Sequence, residues 1–254
     1  MVDYNLWLVF LLVFARLTSF IAVAPLFSNP SLPAWSKIGL GLFLAAAVTP
    51  FAGGPSLLEV DGITFSVLIA GEVLLGLALG ITANIIFHTV MVAGQLMDVS
   101  MGFAMSNLFD PASQVQSTLM GRFLNLVALM MLLAMDGHHS MLLALRASFE
   151  VVPVTGVHFA GGTVQELVSV FSGMFLLAFK LAAPVLAVVF VSEMALGLVA
   201  RTVPQLNVFI MGFPLKIGLG VLVMAVIMPI MAVVFGNILS QLERDLMTII
   251  GSFR

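Results

Sequence analysis

The sequence predicts an all-α, polytopic helical membrane protein, and three observations carry that prediction. Of 254 residues, 61% are hydrophobic and only 8% are charged, against about a quarter charged in a soluble domain. Too few charges remain to clothe a water-facing surface, and the mean hydropathy is +1.21. The apolar residues are gathered into blocks, most of them near or beyond the ~20 residues that a helix needs to cross a bilayer. The breaks between blocks are rich in proline and glycine.

The blocks follow in order. The first, from Leu6 to Phe27, is preceded by Asp3 and closed by Pro25, Pro30 and Pro33. It lacks a basic leader region and a small-residue cleavage site, so it reads as a retained helix. The second, Ile38 to Phe51, is short and ends in the turn cluster TPFAGGPS. The third, Ile63 to Ala93, is long enough to tilt or kink. After it comes a polar, proline-broken stretch, SMGFAMSNLFDPASQ, from Ser100 to Gln114. The fourth runs from Leu119 to Met135, and MDGHHS then makes a connection short enough for a helical hairpin. A brief block from Met141 to Val152 is followed by the turn VVPVTGVHFAGG. Two long blocks, Leu167 to Ala200 and Val208 to Phe235, complete the set. Beyond Phe235 the charges Glu243, Arg244 and Asp245 predict an interfacial or solvated helix end.

Function classes can be excluded on chemistry. The net charge of −3 and the lack of a basic run argue against nucleic acid. With no cysteine there is no disulfide, thiolate-bound zinc or thiol catalysis. The DGHH stretch, Asp136 to His139, matches no metal-ligand spacing and reads as a polar turn. FSGMF lacks the context of a nucleophile elbow, and no phosphate-binding loop is present. The expectation is therefore no enzyme, no cofactor and no metal.

The apolar blocks nevertheless carry charges: Arg16, Glu72, Arg122, Lys180, Glu193, Arg201 and Lys216. Each would cost roughly 2.5–3.5 kcal/mol at the centre of a bilayer. Several share a helical stripe with glycines four residues apart. Glu72 aligns with Gly76 and Gly80, Glu193 with Gly197 and Arg201, and Lys216 with Gly212 and Gly220. Glycine stripes admit another backbone, so these charges are expected to face polypeptide. Two functions fit: packing within a multi-subunit assembly, or a secondary transporter of a small solute with Glu72 and Glu193 as coupling carboxylates. The echo between EVLLGL and EMALGL is a hint of the second.

Four motifs lend a further expectation. LFSNPSLPAWSKIGLGLFLA, MGFAMSNLFDPASQ, DGHHSMLLALRASFEVVPVTG and GLVARTVPQLNVFIMGFPLKIGLG, in this order, resemble the FliR family of the flagellar type III export gate. An injectisome relative belongs to the same family; the GH turn and GFPLK favour the flagellar branch. The resemblance implies a non-enzymatic gate subunit in the bacterial inner membrane, within the flagellar basal body. It implies FliP-like and FliQ-like partners, FlhB-like and FlhA-like components at the cytoplasmic side, and unfolded flagellar proteins as cargo. It also implies a FliP-like part over about residues 1–180 and a FliQ-like part, with a proline-started helix at Pro184, over about 181–254.

By the same resemblance, Met101, Gly102, Phe103, Met105, Phe109, Asp110 and Pro111 belong to a channel plug. Methionine and phenylalanine would make a dry, deformable seal. Gly102 would supply backbone freedom, Pro111 would stop a helix, and Asp110 would cap the next one. The plain alternative is an ordinary loop folded onto the bundle, its apolar side chains buried. Pro204, Gln205 and Asn207, in the break RTVPQLN, are expected to face a partner subunit, with a local turn as the alternative.

Overall fold

The computed structural model describes residues 4–52, 57, 60–103, 118–158, 162–203, 205 and 207–253, and among these it is helical with no strand. The helices are α1 (Tyr4–Val23), α2 (Ala34–Val48), α3 (Gly62–Met101), α4 (Leu119–Ala134), α5 (Gly137–Val151), α6 (Gly162–Thr202) and α7 (Val208–Gly251). A 3-10 turn over Thr49–Phe51 extends α2, with Pro50 placed where its missing N–H costs nothing. Five of the described helices are long and apolar enough to cross a membrane. The pair α4 and α5 adds a sixth crossing if it is taken as one span with a 68° bend. With α3, α6 and α7 at 40, 41 and 44 residues, each is about 60 Å or more in length, twice the roughly 30 Å hydrocarbon thickness.

Three local features depart from expectation. The connection at Asp136 bends the chain by 68° and does not reverse it as a hairpin would. Asp136 itself takes a left-handed conformation, φ 55°, which an aspartate tolerates better than most residues. Pro184 lies inside α6 and starts no helix. It removes one backbone bond to the carbonyl four residues earlier, and strongly helix-forming neighbours on both sides carry the helix through. Finally, the C-terminal stretch continues α7 to Gly251 as a packed helix. Ile238, Leu242, Leu246, Ile249 and Ile250 are buried while Glu243 and Arg244 are exposed. The charges occupy one side of an amphipathic helix whose other side is core.

The chain divides into two compact units. The first comprises Met1–Ile86, Leu132–Phe171 and Ile238–Arg254. Its core is Leu12, Val13 and Phe20 of α1, Leu75 and Leu79 of α3, and Met141 and Leu145 of α5. Here α3 lies on α1 with no room for side chains at the crossing. A Cβ at Gly76 would strike the Arg16 carbonyl and the Ser19 hydroxyl, and one at Gly80 would sit 3.0 Å from the Phe20 carbonyl. The second unit comprises Phe87–Met131 and Ser172–Asn237. Its interior is Val90, Met97 and Met101 of α3, Leu124 of α4, and Val185 and Val189 of α6.

Candidate functional site

In the first unit the crossing of α1 and α3 brings two opposite charges together. Arg16 and Glu72 are both fully buried, and Arg16 Nε donates to Glu72 Oε2 at 2.5 Å. Of the remaining guanidinium nitrogens, Nη1 turns to the end of α5, while Nη2 is buried with no hydrogen-bond partner among the described residues. Arg16 Nη1 donates to the carbonyls of Ser148 and Val152, each at 3.0 Å, and to the Ser148 hydroxyl at 3.3 Å. Those carbonyls lie at the C-terminal end of α5, where the Ser148 carbonyl also accepts the Val152 N–H and a positive charge is favoured. The guanidinium also stacks over Phe149, 4.2 Å from the ring centre. The second carboxylate oxygen, Glu72 Oε1, accepts the backbone N–H of Thr155 at 3.1 Å. Three helices and a turn are thus pinned at one dry ion pair. Most of the polar contacts of this pair come from within the chain.

In the second unit the end of α3 and the start of α4 form a narrow neck. Two glycines face each other: a Cβ at Gly94 would fall 2.5 Å from both Cα and N of Gly121. One turn beyond Gly94, on the same face, Asp98 is buried, at 3% exposure. Its Oδ1 accepts the N–H of Met120 at 2.9 Å and its Oδ2 that of Gly121 at 3.2 Å. These donors lie in the first turn of α4, where the backbone has no partner of its own, and an anion there is favoured. Below the neck, Met101 is completely buried in a notch at Gly220 of α7, a position any Cβ would take from its side chain. Gly102 then takes φ 92°, a conformation costly for residues with a Cβ, with the Phe213 ring 2.7 Å from where that Cβ would lie.

Of the expected plug residues, Met101 and Gly102 therefore root the segment, and Phe103 is half-buried. Met105, Phe109, Asp110 and Pro111 lie outside the described residues. Glu193 pairs with Lys216 between α6 and α7, their side chains 46% and 20% exposed. Gly212 approaches Leu196, whereas Gly197 has open space before it. Arg122, Lys180 and Arg201 are exposed on this chain. Pro204 lies outside the described residues. Gln205 and Asn207 are exposed, and Asn207 begins α7, its Oδ1 accepting the Ile210 N–H at 3.4 Å and its own carbonyl accepting Ile210 and Met211. Among the described residues no group of His, Asp and Glu is placed to hold a metal ion.

The residues that sequence reasoning missed are the ones that complete these clusters. Asp98 was a lone acid just past an apolar block, and its distance of four from Gly94 was the available signal. Ser148 and Thr155 contribute mainly backbone atoms, which no residue type announces.

Comparison with known proteins agrees with the motifs. Residues 7–242 match the family described as bacterial export proteins, family 1. The chain is 37% identical to the flagellar biosynthetic protein FliR of Bacillus subtilis (strain 168), over 97% of each chain. It is 31% identical to FliR of Escherichia coli (strain K12), over 93% of this chain and 90% of that one. FliR of Pectobacterium carotovorum is 28% identical over 94% and 92%. By its sequence over nearly its whole length, and with an all-helical membrane architecture to match, the chain belongs to family 1 of the bacterial export proteins, the family of the flagellar biosynthetic protein FliR.

Proposed function

We propose that this chain helps to form and to plug the channel of the flagellar type III export gate. As a member of the FliR family it is a component of the flagellar export apparatus, set in the bacterial inner membrane by its long apolar helices, and it works with other components of that apparatus. Its finer role is our own assignment: Met101 to Pro111 as the seal, unfolded flagellar proteins as cargo, and FliP-like, FliQ-like, FlhB-like and FlhA-like chains as partners. We also assign a FliP-like part to about residues 1–180 and a FliQ-like part to about 181–254. The role is one of packing and sealing, with no catalytic step assigned to any residue.

The neck is the observation that best supports a seal at this place. Gly102 lies against Phe213 at the end of α3, and Met120 and Gly121 at the start of α4 are bonded to Asp98 beside the Gly94–Gly121 contact. The exposed Arg122, Lys180 and Arg201 support a multi-subunit setting, because charges on apolar helices need polypeptide or water beside them. No observation favours the solute transporter: Glu72 is locked to Arg16 and Thr155, and Glu193 is paired with Lys216.

The test is a triple substitution, Phe103→Ala, Met105→Ala and Phe109→Ala, in cells whose own copy is deleted. Ion influx should rise while secretion continues. A variant that stays ion-tight and secretes normally rules the seal out.

A further inference from the structure

Asp98 does something that packing alone does not require. It is a buried carboxylate between Gln95 and Ser100 of α3, and among the described residues its contacts include no cation. Both oxygens are instead spent on two backbone N–H groups, 22 and 23 residues later in the chain. An anion bound to the free donors of a helix start is a charge-assisted bond, stronger than a neutral one. The bond also sits at a crossing that cannot close further, since Gly94 and Gly121 already touch backbone to backbone. The glycines set the distance between α3 and α4, and the carboxylate sets the axial register and stops α4 from fraying at its first turn. At this helix start the Thr118 carbonyl accepts the Arg122 N–H.

We infer that Asp98 is a positioning residue of the gate: its carboxylate clamps the first turn of α4 to α3 and so holds the two roots of the sealing segment in register. This rests on the proposed seal function. Without the clamp, the helix crossing loses its register while its apolar contacts remain, and the closed state becomes one of several.

The experiment uses the full chain, assembled with its native partners in cells deleted of their own copy. The variants are Asp98→Ala and Asp98→Asn, with the triple alanine variant at Phe103, Met105 and Phe109 as reference. Asp98→Ala should raise ion influx by about tenfold or more, the effect of losing two charge-assisted bonds on a two-state closure. Asp98→Asn keeps one acceptor oxygen and should leak less. A re-locking arm separates positioning from general damage. The native chain has no cysteine, and a Cβ at Gly121 would lie 3.5 Å from Gln95 Cγ. Gln95→Cys with Gly121→Cys should therefore form a disulfide across the neck.

In the Asp98→Ala background that disulfide should restore tightness under oxidation and lose it on reduction. If the triple variant leaks and Asp98→Ala stays tight, the clamp is wrong and the seal stands. If neither leaks, seal and clamp fall together. If Asp98→Ala leaks, or fails to accumulate, and oxidation rescues neither, Asp98 is structural and the inference is overturned.

Discussion

The two units hold their helices together with the same tool, a buried acid, and use it in opposite ways. In the first, Glu72 meets a full positive charge, and every charge in the cluster is fully buried. In the second, Asp98 meets backbone N–H groups among the described residues, and the opposite-charge pair Glu193–Lys216 lies part-exposed on the side of α6 and α7. A dry ion pair with one partner removed strands a charge, so the first unit can break but not loosen. A carboxylate on a helix end can be lost with the helix intact, so the second unit can loosen without breaking. On the function proposed above, a scaffold suits the first design and a seal the second.

The sharpest way to break the comparison is to remove half of the buried pair. Glu72→Ala leaves Arg16 charged and dry, at a cost of about 3–5 kcal/mol. The protein should then disappear from the membrane, read as loss of assembled complex on a native gel. Replacing both charges with apolar residues, Arg16→Met with Glu72→Leu, should recover most of the complex, since a well-packed apolar pair is often neutral or better. A double variant as poor as the single one would show that the guanidinium's bonds to the end of α5 matter more than the charge balance.

A smaller effect is expected in the second unit at Gly220→Ala. The added methyl competes with the end of the Met101 side chain, which is flexible, and not with backbone. Overpacking of this kind costs about 1–3 kcal/mol. The complex should assemble, lose some thermal stability and leak, because Met101 no longer seats at the foot of the neck. The first unit offers the contrast in Gly76, where the added atom would meet backbone and α1 would have to move as a whole.

The smallest effect belongs to Glu193→Gln. Its pair with Lys216 is part-exposed, and such pairs contribute no more than about 1 kcal/mol. Assembly and secretion should be unchanged to within the error of a thermal melt. A large loss would mean that a partner subunit buries this pair in the complex, which would draw the second unit closer to the first.

Much of this was legible from residue spacing. The blocks at Leu6, Ile63 and Val208 became helices because an apolar run of that length in lipid has no other way to satisfy its backbone. The alignment of Glu72 with Gly76 and Gly80 identified a face, and that face meets α1. What the alignment left open was the partner of Glu72. Arg16 lies 56 residues away, and the acceptors at Ser148 and Val152 lie more than 130 residues from Arg16. The charged stretch after Phe235 misled for a related reason. Three adjacent charges mask a buried stripe at spacings of four, and only packing in the first unit shows which side is dry.

The sequence by itself determined that the apolar blocks are helices, the membrane setting and the family, because those follow from local runs and ordered motifs. Only the tertiary structure decided which charges are paired and which are open, where two glycines let α3 and α4 touch, and that Asp98 caps a helix it does not belong to. Those are outcomes of distance between residues far apart in the chain, and side-chain type constrains such distances weakly when apolar packing supplies most of the driving force.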